Sequence, residues 1–158
     1  MGLSPGPDFA ISTHLSIVHY MVQSGSREKH TTIGGDGVLN VIFFRTEAGK
    51  EPVLDWLRAF AIEDRRILGE DLRTVQLGWP LGMPLCRPLG AGLYEVRSHL
   101  TGGQIARLVF FQSEQNLIVV EGFIKRTPTT PKQVLDLARK RRGAYERNLA
   151  AQSSGPKS

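Results

Sequence analysis

Three apolar runs of strand length, each a turn away from the next, constrain this chain more than anything else in it. They are LYEVRSHL at 93–100, QIARLVFFQ at 104–112 and NLIVVEGFIK at 116–125. Each is rich in the β-branched and aromatic residues that suit a pleated, half-buried surface. Thr101-Gly102-Gly103 and the segment Ser113 to Gln115 separate them. Connections that short make hairpins, because a parallel crossover needs roughly a dozen residues or more. The three runs therefore predict an antiparallel meander whose faces the rest of the chain must cover.

The flanking segments supply the cover. VLNVIFF at 38–44 is a further strand candidate. Gly49 then breaks the chain and Pro52 suits a first helical turn, after which Val53, Leu54, Trp56, Leu57 and Phe60 recur at helical spacing. IEDRRILGEDLRTVQLG at 62–78 sets Ile67, Leu68, Leu72 and Val75 on one face, so the two segments predict a helical hairpin with one apolar side. WPLGMPLCRPLGAG at 79–92, broken by Pro80, Pro84, Pro88, Gly82, Gly90 and Gly92, is expected to be a stiff irregular connection. Beyond the meander, Thr130 is expected to cap a last helix, with Pro131 at its first position and Gln133 completing a capping box. Val134, Leu137, Ala138 and Tyr145 share a face of that helix. The order β, α, α, β, β, β, α is α+β, with no parallel crossover required. Residues 1–37, rich in Gly, Ser and Thr, are expected to be a poorly ordered extension, 38–149 the domain, and 150–158 a flexible tail.

Charge narrows the function. Between Arg45 and Pro80 six Lys/Arg meet seven Asp/Glu, whereas between Lys125 and Arg147 eight meet two. Most of the net charge of +5 thus sits in the C-terminal quarter, which favours a polyanionic partner, nucleic acid before membrane. Cys86 is the single cysteine, so no internal disulfide can form, and His14, His19, His30 and His99 lack the spacing of metal ligands. The stretch Ile11 to Val22 is interrupted by His14 and His19 and lacks the basic lead-in of a signal peptide. The expected setting is the reducing cytoplasm, with no membrane association and no cofactor.

Strand alternation turns Glu95, Arg97 and His99 to one face and Tyr94, Val96 and Leu100 to the other. Arg107 is a charge in mid-strand between Ala106 and Leu108, and Lys125 with Arg126 ends the last strand beside TPTTP. Arg97 and Arg107 could equally be ordinary cross-strand partners of Glu95 or Glu121. An RNA backbone can be cut by its own 2′-OH, provided the enzyme removes that proton, stabilises the added negative charge and protonates the leaving oxygen. Arginine suits the second task through its planar, permanently charged fork, while His99 or Lys125 is the better proton carrier. Arg97, His99, Arg107, Lys125 and Arg126 are thus the candidate catalytic set, and no metal is needed. Lys132, Arg139, Lys140 and Arg142 on the basic helix are the candidate RNA-binding set, against the plainer alternative of a solvated helix face.

GEDLRTVQLGWPLGMPLCRPLGAGLYEVRSHLTGGQIARLVFF, followed by GFIKRTPTTP and a basic helix, closely resembles the phage-derived HigB-like branch of the RelE/ParE toxin superfamily. The likeness runs from about Val41 to Arg147. It implies a RelE-like fold: a small antiparallel sheet, an N-terminal helical hairpin and a C-terminal helix. It also implies a toxin restrained by a cognate antitoxin, often of helix-turn-helix type, that acts as an endoribonuclease on mRNA in the ribosome. By that resemblance Arg97 and His99 fall where relatives place cations at the RNA. Arg107 resembles the phosphate-stabilising arginine, and Lys125 and Arg126 match a terminal cationic pair. Relatives often read Lys-Lys-Thr-x-Lys-Thr-Pro where this chain has Lys-Arg-Thr-Pro-Thr-Thr-Pro, one cation fewer. Tyr145 is too far into the last helix to take the role of the RelE C-terminal tyrosine. A ParE-like poison of DNA gyrase and an inactive antitoxin-binding module are the alternative readings.

Overall fold

The structure, a computed structural model, describes residues 32–33 and 39–154. Its elements in chain order are β1 (Thr32–Ile33), β2 (Asn40–Phe43), α1 (Pro52–Arg58), α2 (Ile62–Gly78), β3 (Cys86–Gly90), β4 (Leu93–His99), β5 (Ile105–Ser113), β6 (Asn116–Ile124) and α3 (Lys132–Ser153). The class is α+β, with the helical hairpin before the meander and one helix after it. Most of the extension expected over 1–37 lies outside the described residues, although Thr32 and Ile33 pair with β2. The last helix runs to Ser153, past the boundary expected at 149. Residues 155–158 of the expected tail lie outside the described residues.

Two expectations about the sheet need correction. The six strands follow the order β1-β2-β6-β5-β4-β3, and β2 lies parallel to β6, so the sheet is mixed rather than antiparallel throughout. The crossover is long, with α1, α2 and the meander between its two strands, which is the length a parallel pairing requires. The Pro-rich connection also contains a strand. Cys86–Gly90 pairs antiparallel with β4 despite Pro88, because β3 is an edge and an edge strand tolerates a missing donor. Gly90, Ala91 and Gly92 all take positive φ in the turn that returns the chain into β4.

Apolar side chains on both faces of the sheet explain why its central strands are almost continuously hydrophobic. On one face Val53, Leu54 and Leu57 of α1 and Leu68, Leu72 and Val75 of α2 pack against Val96, Leu108, Phe110 and Val119. Trp79, just past α2, stands edge-on to Tyr94 and Phe110 at 4.8 and 5.1 Å and donates its indole N–H to Gln112 Oε1 at 2.9 Å. On the other face α3 lays Ala138, Val134 and Tyr145 over Val109, Phe111, Ile118 and Val120. The capping box is absent: α3 begins after Pro131 with no side-chain cap, and the Thr130 hydroxyl is used elsewhere.

Candidate functional site

Register decides which cations meet. Arg97 of β4 lies directly opposite Arg107 of β5, which lies opposite Phe123 of β6. One row further along, His99 is opposite Ile105, whose carbonyl accepts the backbone N–H of Lys125 at 2.7 Å. Alternation turns all these side chains to the α3 face. His99 and Lys125 therefore flank Ile105 in one row, about 10 Å apart across two strand spacings, with Arg97 and Arg107 in the row behind. His99 and Arg126 are exposed and Arg97 and Lys125 half-buried, so the end of this face beyond α3 is a cationic shelf open to solvent.

Arg107 is not part of the open shelf. Its side chain is 1% exposed and Glu95, at 0%, approaches it with Oε1 2.8 Å from Nη1. This is an ion pair without the alignment of a hydrogen bond, and Arg107 Nε and Nη1 and Arg97 Nε find no acceptor among the described residues. Burial lowers the pKa of the Arg107 guanidinium, Glu95 opposes that, and Arg97 and Arg87 add to it. An arginine nevertheless stays protonated in a protein. The plainer of the two readings of Arg107, a cross-strand partner of Glu95, is therefore what the geometry contains, and a solvent-borne phosphate has no direct path to this guanidinium.

Sequence reasoning missed one participant and misplaced another. Arg87 stands opposite Glu95 on β3, half-buried, and adds a third arginine to the cluster. The three prolines of its segment hide it by making 79–92 read as irregular; the Gly90-Ala91-Gly92 turn between Leu89 and Leu93 is the available hairpin signal. Glu95 stands among Arg87, Arg97 and Arg107, while Glu121, further along the same row past Val109, pairs with Arg141, leaving the cluster cationic. Thr130, expected as a helix cap, donates its hydroxyl to Glu95 Oε2 at 3.0 Å.

On α3 the candidates divide. Lys132 and Arg139 are exposed and share Asp136 at 3.7 and 3.6 Å, contacts of little energetic weight at such exposure. Lys140 is exposed as well. Arg142 is committed to the fold: it meets Glu146 at 2.7 Å, donates to the Ala91 carbonyl and lies 4.9 Å over the Phe111 ring. Those contacts occupy the guanidinium within the fold. Arg141 is similarly anchored, to the Val120 carbonyl at 2.7 Å and to Glu121 at 3.5 Å.

Burial lifts the Asp71 carboxyl above the usual range, with Ser98 offsetting part of the rise, Glu70 adding to it and His99 lowering it again. The Cys86 thiol is pushed up to about 11, first by burial and then by Asp71, which makes it a poor nucleophile. Among the described residues no three His, Cys, Asp or Glu side chains are grouped as metal ligands would be, and no helix is long and apolar enough to cross a membrane.

Comparison with known proteins adds one finding. A family model described as phage derived protein Gp49-like (DUF891) matches residues 55–143, more than half of the chain, from within α1 to the middle of α3. The match takes in Arg87, Glu95, Arg97, His99, Arg107, Lys125, Arg126 and Thr130. No curated protein matches the chain.

Proposed function

This chain belongs to the Gp49-like family of phage-derived proteins, a family of RelE-like toxin–antitoxin toxins, and from that premise we propose that it is a HigB-like mRNA endonuclease acting on the ribosome. The observation that carries the reading is the solvent-open cationic shelf, where Arg97 and His99 at the end of β4 and Lys125 and Arg126 just past the end of β6 flank Ile105 of β5. In this reading Arg97, half-buried on the shelf, holds the scissile phosphate, and Lys125 and Arg126 neutralise the charge that grows on it. His99, the exposed imidazole in the front row, is the proton carrier. Arg107 works from beneath, as a buried positive charge beside Arg97 in the same row.

Lys132, Arg139 and Lys140 extend the positive surface along α3, with Lys140 about 12 Å from Lys132 at the helical rise per residue. They suit contacts with ribosomal RNA backbone, whose affinity is electrostatic and falls with salt. The partners in this reading are the ribosome with its mRNA in the cytoplasm, and a cognate antitoxin of helix-turn-helix type that restrains the toxin.

Induction without the antitoxin tests this. The expected outcome is growth arrest with translation stopped and breaks inside translated messages, mapped by sequencing of RNA ends. DNA breaks and an SOS response with messages intact would replace this reading with a gyrase poison. Unimpaired growth with folded protein present would leave an inactive antitoxin-binding module.

A further inference from the structure

We propose that Glu95 is a positioning residue: held by Arg107 beneath it, it grips Thr130 and thereby fixes the connection 125–131, with Lys125 and Arg126, over the cationic shelf. The proposal rests on the endonuclease reading for its purpose and on the geometry alone for its mechanics.

A carboxylate at 0% exposure in the middle of a sheet face is costly unless charge and hydrogen bonds compensate it. Here each oxygen has a separate partner. Oε1 meets the Arg107 guanidinium at 2.8 Å and Oε2 accepts the Thr130 hydroxyl at 3.0 Å. The first contact cannot by itself explain the second. Thr130 had a competing use as a cap, one residue before Pro131, yet α3 has no side-chain cap. A hydroxyl that could have served the helix instead reaches 35 residues back along the chain to β4.

That bond matters because the connection has few other anchors. Its first residue is tied through Lys125 N–H to Ile105, and Thr127 bonds only within the loop, to the Thr129 carbonyl. From there to α3, Thr130 is what fastens it to the sheet among the described residues. The spacing between the two cations just past β6 and Lys132 in the first turn of α3 therefore rests on the Lys125 backbone bond at one end and the Thr130 hydroxyl on a buried carboxylate at the other. A bond to a charged acceptor is stronger than a neutral one, so the grip is firm without being covalent. Arg107 contributes by holding Oε1 at 2.8 Å, which leaves Oε2 aimed at Thr130.

The test uses full-length Thr130→Val, Thr130→Ser and Glu95→Gln, with two readouts. The first is amide hydrogen exchange across 125–131; the second is single-turnover mRNA cleavage on programmed ribosomes, with ribosome affinity measured separately. Thr130→Val should speed exchange in 125–131 and slow cleavage by roughly tenfold, the equivalent of one bond to a charged group, with affinity unchanged. Thr130→Ser keeps the hydroxyl and should restore both. Glu95→Gln, if it folds, keeps an acceptor and should retain much of the protection. A Val variant that exchanges and cleaves like the parent, or a Ser variant as impaired as Val, overturns the proposal. Should the parent not cleave mRNA at all, the endonuclease reading falls, and the exchange data alone decide whether Glu95 holds the connection.

Discussion

Arg107 illustrates what a single position discloses and what it withholds. Its charge in mid-strand and the face it takes follow from alternation, because neighbours Ala106 and Leu108 enter the helical-hairpin core. Its burial and its partner do not. Both depend on register, which sets Arg97 directly opposite Arg107 and brings Glu95, two residues earlier on β4, into the role of counter-ion. Removing Arg107 therefore strands a carboxylate of 0% exposure. Arg107→Ala should cost about 3–5 kcal/mol of stability, the usual penalty for breaking a buried pair from one side. Urea denaturation followed by circular dichroism measures it. A variant of parental stability whose cleavage alone falls would return Arg107 to the group that acts on the substrate.

At the scale of elements, local patterning located α1, α2, β4, β5, β6 and α3 because each carries its own periodicity. What it could not see was pairing. Asn40–Phe43 is apolar whether its partner runs parallel or antiparallel, and Cys86–Gly90 is a strand only because an edge forgives Pro88. Gly122 marks another such dependence. It interrupts the apolar run of β6 where α1 crosses, and a Cβ there would lie 2.6 Å from the Trp56 ring. A glycine inside a strand pattern signals a close approach of this kind, although not by which neighbour. Gly122→Ala should lower stability by about 1–3 kcal/mol through overpacking, read from the thermal midpoint. Adding Trp56→Leu, which clears the ring, should recover most of that loss; equal destabilisation in both variants would mean that strand geometry, not Trp56, requires the glycine.

For the whole molecule, the charge asymmetry of the sequence survives in the fold but is sorted by it. Eight cations crowd Lys125 to Arg147, yet Arg141 and Arg142 bond backbone carbonyls and aromatic faces, while Lys132, Arg139 and Lys140 face solvent. Composition announces the patch; contacts made 21 and 51 residues away decide its members. Arg139→Ala with Lys140→Ala should weaken ribosome binding and reduce its salt slope by roughly two, with thermal stability unchanged. Arg142→Ala should do the reverse, since it loosens the Gly92 turn and the Phe111 face. Salt titration of ribosome affinity beside thermal melts separates the two, and an unaltered slope in the double variant would make the exposed face a solvating one.

The parallel seam between β2 and β6 has a consequence for how the chain is made. Asn40 bonds Asn116 across 76 residues, and Val41, Ile42 and Phe43 pair with Leu117, Ile118 and Val119. A chain emerging N-terminus first delivers the apolar strand long before its parallel partner exists. During that interval the helical hairpin and the β3–β4 turn can form from contacts near in sequence, while an unpaired hydrophobic edge waits. Closing it depends on the slowest kind of contact, one between distant segments. Newly made molecules therefore pass through a stage in which the rest of the sheet can assemble before β2 joins it, and that stage, rather than the finished fold, is where association with other chains is most favoured.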